Sequence, residues 1–163
     1  MKKILVTGGC GFIGSNYIHH VFKNDNDTHI INLDKMTYAG NIHNLEGLPN
    51  SFHTFVEGDI CDSGLLKTLF ETHQFDSVVH FAAESHVDRS ITGPEIFVET
   101  NVVGTFRLLD ESYRYWVSLP EDNKKKFRFL HVSTDEVYGS LEINDPKFTE
   151  LKQYEPNSPY SAS

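Results

Sequence analysis

The stretch "ILVTGGCGFIGSN", Ile4 to Asn16, passes from a β-branched run through three evenly spaced glycines into an apolar-periodic segment. Lys3 to Val6 reads as a strand. Phe12 to Phe22 reads as a helix, with Ile13, Tyr17, Ile18 and Val21 recurring at helical spacing. Gly8, Gly11 and Gly14 fall in the turn between them. Gly8 permits a tight turn, Gly11 lets a diphosphate approach the backbone, and Gly14 lets the helix pack close to the sheet. The amino end of the helix then offers free N–H groups and a positive dipole end to phosphate. The spacing is GxxGxxG, which on its own also suits an ordinary tight βα turn.

Asp34 separates the two possibilities. It lies twenty residues beyond Gly14, at the end of a second predicted strand, His29 to Leu33. A carboxylate there accepts hydrogen bonds from ribose hydroxyls and repels a 2′-phosphate, so the expected cofactor is NAD rather than NADP. Neighbouring Lys35 is the feature that pulls the other way.

Outward from this unit the alternation continues. Lys35 to Ser51 is loop-like, broken by Gly40, Gly47 and Pro49, and Phe52 to Val56 is a third strand. Asp62 caps a helix through His73, and Ser77 to Phe81 is a fourth strand. A long helix runs from about Pro94 to Tyr115, and Phe127 to Val132 is a fifth strand. The order predicts an α/β fold: a Rossmann-like, doubly wound parallel sheet covered on both faces, with ligands beyond the carboxyl ends of the strands. At 163 residues, without repeats or low-complexity linkers, the chain reads as one domain.

Composition narrows the partners. A net charge of −9 argues against a nucleic-acid surface. No apolar run approaches a bilayer crossing and the amino terminus is unlike a secretory signal, so a cytoplasmic, membrane-free protein is expected. Two cysteines make neither a disulfide framework nor a zinc pattern, and nine histidines lack a ligand arrangement, so no metal is expected. Cys10 reads as a small loop filler, and "EDNKKK", Glu121 to Lys126, as a solvated loop.

Two strand ends carry more chemistry than a turn requires. After the fourth comes "FAAESHVDRS", Phe81 to Ser90, whose Ala82 and Ala83 allow a flat ring to approach. After the fifth comes "VSTDEVYG", Val132 to Gly139, with Ser133, Thr134, Asp135 and Glu136 in succession. Such residues also serve as turn caps. Two adjacent carboxylates suit paired acid and base work, but in an extended strand they point to opposite sides, so the chain must bend at Thr134 to Glu136. Asp59-Ile60 ends the third strand, as an adenine edge or as a plain turn and helix cap. In the closing "SPYSAS", Ser158 caps a helix, Pro159 suits its first turn, and Tyr160 follows. A free phenol has a pKa of about 10, so a base at neutral pH needs a cation nearby. The i+4 position that would supply one lies just past Ser163.

Together these motifs resemble the extended short-chain dehydrogenase/reductase family, whose hallmark is a YxxxK pair. Within it, "LDKMTYAGN", "GDICD", "HFAAESHVDRSITGP", "ETNVVGT" and "STDEVYG" look most like the branch of nucleotide-sugar 4,6-dehydratases that act on dTDP-glucose. The resemblance implies that residues 1–163 are a NAD-binding Rossmann domain, without the lysine of YxxxK and the later substrate lobe, and therefore inactive alone. It implies NAD contacts at Phe12, Ile13, Asp34, Lys35, Met36, Thr37, Asp59, Ile60, Phe81, Ala82, Ala83, Glu84, Ser85, Thr100 and Tyr160. Ser85 and Thr134 would touch the sugar nucleotide. Tyr160 would take the proton of the hydroxyl on carbon 4, with Thr134 bonded to that oxygen. Glu136 would remove the hydrogen on carbon 5, and Asp135 would protonate the hydroxyl leaving carbon 6. That is a redox-neutral lyase reaction giving dTDP-4-keto-6-deoxyglucose, a step toward dTDP-rhamnose, in a protein that is a homodimer at full length. A UDP-sugar 4-epimerase, another nucleotide-sugar dehydratase, and a non-catalytic NAD-binding sensor are the competing expectations.

Overall fold

Five short strands, each rich in β-branched or aromatic residues, form one parallel sheet in the order β3-β2-β1-β4-β5. They are β1 (Lys2–Thr7), β2 (Thr28–Asp34), β3 (His53–Glu57), β4 (Ser77–His80) and β5 (Arg128–His131). The computed structural model describes residues 1–49 and 51–163; Asn50, inside the predicted loop Lys35 to Ser51, lies outside the described residues. That loop also holds a 3-10 turn, Ile42–Leu45.

Because side chains alternate along a strand, each buried strand feeds two cores. Leu5, Ile31, Leu33 and Val78 face helices α2 (Ser63–His73) and α5 (Thr105–Ser118), meeting Leu66, Leu69, Phe70 and Leu108. Ile4, Val6, Ile30 and Val79 face the other way, toward Ile18 of α1 (Phe12–Asn24) and Leu45. Phe70 stacks edge-on against Phe75 at 5.1 Å between centroids. Burial of one such ring stabilises the fold by about 1.5–3 kcal/mol. Asp62 caps α2 as expected, accepting from the amides of Gly64 and Leu65.

Register aligns the carboxyl ends along one rim. Thr7 sits beside Leu33 and His80, Asp34 beside Glu57, and His80 beside His131. The chain winds outward from β1 to β3, then crosses to β4 on the other side of β1. The crevice therefore opens between the exits of β1 and β4.

The structure corrects the sequence-based elements in three places. The predicted helix Pro94 to Tyr115 is α4 (Glu95–Phe97), a π-helical segment (Val98–Gly104) and α5 in direct succession, ending at Ser118. A few apolar residues cannot distinguish a 3.6-residue from a wider repeat. Helix α3 (Val87–Thr92) was missed, since six residues are too few to show a period. Glu121–Lys124, expected in a loop, forms one helical turn, α6, whose Lys124 carbonyl accepts from the Trp116 indole at 3.1 Å. No helix among the described residues is long and apolar enough to cross a membrane.

Candidate functional site

Gly8 has φ +71°, and a Cβ there would lie 2.6 Å from the Ala82 nitrogen. The first turn thus rests directly on the exit of β4. A Cβ on Gly14 would collide with the Gly8 carbonyl, so the close approach that this glycine permits is to the turn rather than to the sheet. Gly11 is the N-cap of α1 and offers no side chain to the helix. Among the described residues the amides of Phe12 and Ile13 have no acceptor. A 13-residue helix with an uncapped amino end, opening into a crevice, is a site built for an anion.

At the end of β2, Asp34 is 8% exposed, and each carboxylate oxygen already accepts one amide hydrogen: Oδ2 from Cys10 at 2.8 Å and Oδ1 from Met36 at 2.9 Å. Each keeps a second lone-pair site for a ligand hydroxyl. Cys10 is fully buried, and burial together with Asp34 pushes its thiol up to about 11, consistent with a filler rather than a reactive thiol. Lys35 pairs with Asp59 at 2.6 Å. Burial opposes ionisation of Asp59, yet Lys35 and the Cys61 amide outweigh it and hold the carboxyl below its usual range.

Beyond β4, Asn101 in the π-helical segment grips the loop on both sides. Its Oδ1 accepts from the Glu84 amide at 2.8 Å, and its Nδ2 donates to the Glu84 carbonyl at 2.9 Å and to Ser163 Oγ at 2.9 Å. Beneath this loop, His80 is 1% exposed and spans two threonines: Nδ1 lies 2.6 Å from Thr7 Oγ1 and Nε2 2.9 Å from Thr105 Oγ1. Thr7 Oγ1 also accepts from the Ala82 amide. Burial, and then neighbouring His131, drive the His80 pKa down to about 3, so the ring is neutral.

After β5 the chain does bend. Thr134 caps a 3-10 turn, Asp135–Tyr138, with its Oγ1 accepting from the Glu136 amide at 3.2 Å. Gly139, at φ +98°, reverses the backbone, and the segment that follows returns across the turn. Tyr154 packs on Tyr138, and the Glu155 amide donates to the Val137 carbonyl. This return carries in α7 (Pro159–Ala162), closed by a capping box in which Ser158 and Ser161 exchange side-chain and backbone bonds. Tyr160 is half-buried and meets the fully buried Phe97 edge-on at 6.4 Å.

These pieces enclose a cleft of about 730 Å³, within the usual range for small-ligand sites. Of the residues expected from sequence, Gly8, Gly11, Phe12, Ile13, Gly14, Asp34, Lys35, Thr37, Asp59, Ile60, Phe81 to Ser85, Thr100, Thr134 and Tyr160 line it. Three do not. Met36, at φ +55°, packs against the core on the α1 side of the sheet. Asp135 is exposed and Glu136 half-buried on the turn beside the cleft. Asn101, Thr105, His131 and Ser161 line it without having been singled out. A polar residue inside an apolar helix reads from sequence as solvent-facing, and only the neighbouring loop reveals that Asn101 is not.

Comparison with known proteins agrees with this geometry. The family model described as GDP-mannose 4,6 dehydratase matches residues 5–163. The chain is 54% identical to the dTDP-glucose 4,6-dehydratase of Salmonella typhimurium, across 99% of this chain and 47% of that protein. A crystal structure of the Streptomyces venezuelae dTDP-glucose 4,6-dehydratase with NAD bound superposes with a TM-score of 0.85 at 45% identity, over 98% of this chain and 47% of that one. The UDP-Glc/GlcNAc 4-epimerase of Campylobacter jejuni gives 0.83 at 31% identity, over 99% and 45%. The chain thus spans about half the length of the curated relatives that it matches. With the glycine turn, Asp34 and the two dressed strand ends in place along a matching fold, this chain belongs to the GDP-mannose 4,6-dehydratase family.

Proposed function

We propose that the chain is the NAD-binding part of a nucleotide-sugar 4,6-dehydratase acting on dTDP-glucose. One observation carries this: a single cleft joins the Asp34 carboxylate, the uncapped end of α1, and the Thr134–Tyr160 corner. Asp34 would hold the adenosine ribose, Asp59 and Ile60 the adenine, the Phe12 and Ile13 amides the diphosphate, and Phe81 to Ser85 with Thr100 the nicotinamide half. The glycine turn fits that group, since a side chain at Gly11 would fill the approach to α1. NAD, when bound, supplies a reversible hydride acceptor.

The chain's own residues then move protons. Tyr160 takes the proton of the sugar hydroxyl on carbon 4. Thr134 Oγ1 already accepts from the Glu136 amide, which leaves its own hydrogen to donate to the same sugar oxygen. A ketone on carbon 4 acidifies the hydrogen on carbon 5, which Glu136 removes while Asp135 protonates the hydroxyl leaving carbon 6. Ser85 holds the sugar nucleotide. An epimerase has no use for that carboxylate pair, and the higher identity to a dehydratase than to an epimerase supports the same choice.

The assembly is a homodimer. Val98, Val102, Phe106, Leu109, Tyr113 and Val117 form one exposed apolar stripe along the long helix, and a second copy would cover it. Two unpaired cysteines suit a reducing, cytoplasmic setting.

Calorimetric titration of the chain with NAD and NADP tests the cofactor: NAD binds, and NADP binds more weakly by about tenfold or more. A chain that binds neither sinks the proposal. In a chain lengthened to the span of its relatives, dTDP-glucose yields a 4-keto-6-deoxy sugar, identified by its absorbance. An epimer in its place would turn the assignment to the epimerase.

A further inference from the structure

We infer that Asp59 is a second determinant of dinucleotide choice, because it holds the Lys35 ammonium away from the place where a 2′-phosphate would bind. This rests on NAD being the cofactor and concerns how NADP is refused. Lys35 directly follows Asp34, the position from which a cation meets a 2′-phosphate in a fold of this kind. Among the described residues that line the cleft, no other lysine or arginine occurs.

Yet Lys35 is not on offer. Its Nζ lies 2.6 Å from Asp59 Oδ2. The other Asp59 oxygen accepts from the Cys61 amide at 2.8 Å, which fixes the carboxylate's orientation. The turn beneath it is tied to the long helix twice: Arg107 donates to the Cys61 carbonyl, and the Cys61 thiol donates to the Glu99 carbonyl at 3.3 Å. The Asp59 side chain is 29% exposed and that of Lys35 47%, so water screens the lysine end of the pair more than the carboxylate end. The bond to Asp59 raises the Lys35 pKa. Asp34 cannot turn aside either, since amides hold both of its oxygens. Refusal of a 2′-phosphate is thereby divided between two carboxylates. Asp34 repels it directly, and Asp59 removes the cation that would offset the repulsion.

The test is calorimetric titration of NAD and NADP into the unmodified chain, Asp59→Asn, Lys35→Gln and the double variant. Asn keeps the shape and the oxygen that faces the Cys61 amide but drops the charge. The preference for NAD over NADP falls by about tenfold in Asp59→Asn and returns in the double variant. The fall shrinks at high salt. Any loss of an adenine contact affects both dinucleotides alike and cancels in the ratio. Lys35→Gln alone leaves the ratio within about twofold, because the cation is already withheld. An unchanged ratio in Asp59→Asn with NAD still bound overturns the inference. So does a drop in NADP affinity of about tenfold in Lys35→Gln, an arm that decides even if Asp59→Asn fails to fold. Absence of NAD binding by the unmodified chain removes the cofactor assignment, and this inference with it.

Discussion

Asp34 orders the backbone with the same carboxylate that faces the cleft. Its two oxygens collect the amides of Cys10, from the glycine turn, and Met36, from the following loop. An asparagine has one oxygen, so in Asp34→Asn one of these amides must face an NH₂ group. The expected cost is about 1–3 kcal/mol of stability, read as a lower urea midpoint at unchanged slope, with weaker NAD binding. At this scale the candidate site was largely legible. Gly8, Asp34 and Thr134 belong to local turn and strand-end patterns that the chain spells out in order. Met36, expected at the cofactor, has its side chain packed against the core on the α1 side, at a positive φ that nothing in the residue type announces. Asn101 went unseen because its partners are Glu84, seventeen residues earlier, and Ser163, 62 residues later in the chain.

His80 shows how one element can depend on a buried polar group. Strand β4 carries it between Thr7 of β1 and Thr105 of α5, so a neutral imidazole couples two elements through hydroxyls. In the unfolded chain a histidine takes up a proton near pH 6.5, while burial keeps folded His80 neutral down to about 3. Between those values the unfolded state binds more protons, so stability falls as pH is lowered through the window. From pH 7 to pH 5 the loss from this group is about 2 kcal/mol. Denaturation at both pH values should show that much less acid sensitivity in His80→Gln than in the unmodified chain. An equal drop in both proteins would assign the acid sensitivity elsewhere, for instance to His53 or His29, whose pKa values burial also lowers. The long helix teaches the complementary lesson. A long helix was expected here from the sequence, whereas its π-helical middle was not, because the segment seats Asn101 against Glu84 and Gly104 against Ile60.

For the whole molecule, two surfaces of the long helix have opposite fates. Phe97, Leu108 and Ser112 are buried against the sheet and its loops, while the stripe through Phe106, itself 65% exposed, is left bare. Light scattering is expected to give twice the monomer mass, and Phe106→Glu to return the monomer with its far-ultraviolet dichroism intact. A monomer before substitution would remove the stripe as a self-association surface. Strand order is also a property at this scale. Alternating strand and helix signals implied a parallel sheet, and the crossing from β3 to β4 placed the crevice over β1.

By itself the sequence determined the parallel α/β class, the glycine turn, the acidic residue at the end of β2 and the capped turn that presents Tyr160. Each is written in contiguous residues whose backbone preferences and periodicity act locally. Tertiary structure alone decided that Lys35 is spent on Asp59, that His80 stays neutral between two threonines, and that Asn101 holds the loop after β4. Those outcomes depend on groups brought together from distant parts of the chain, where burial and hydrogen-bond geometry, rather than local preference, set the charge and direction of each side chain.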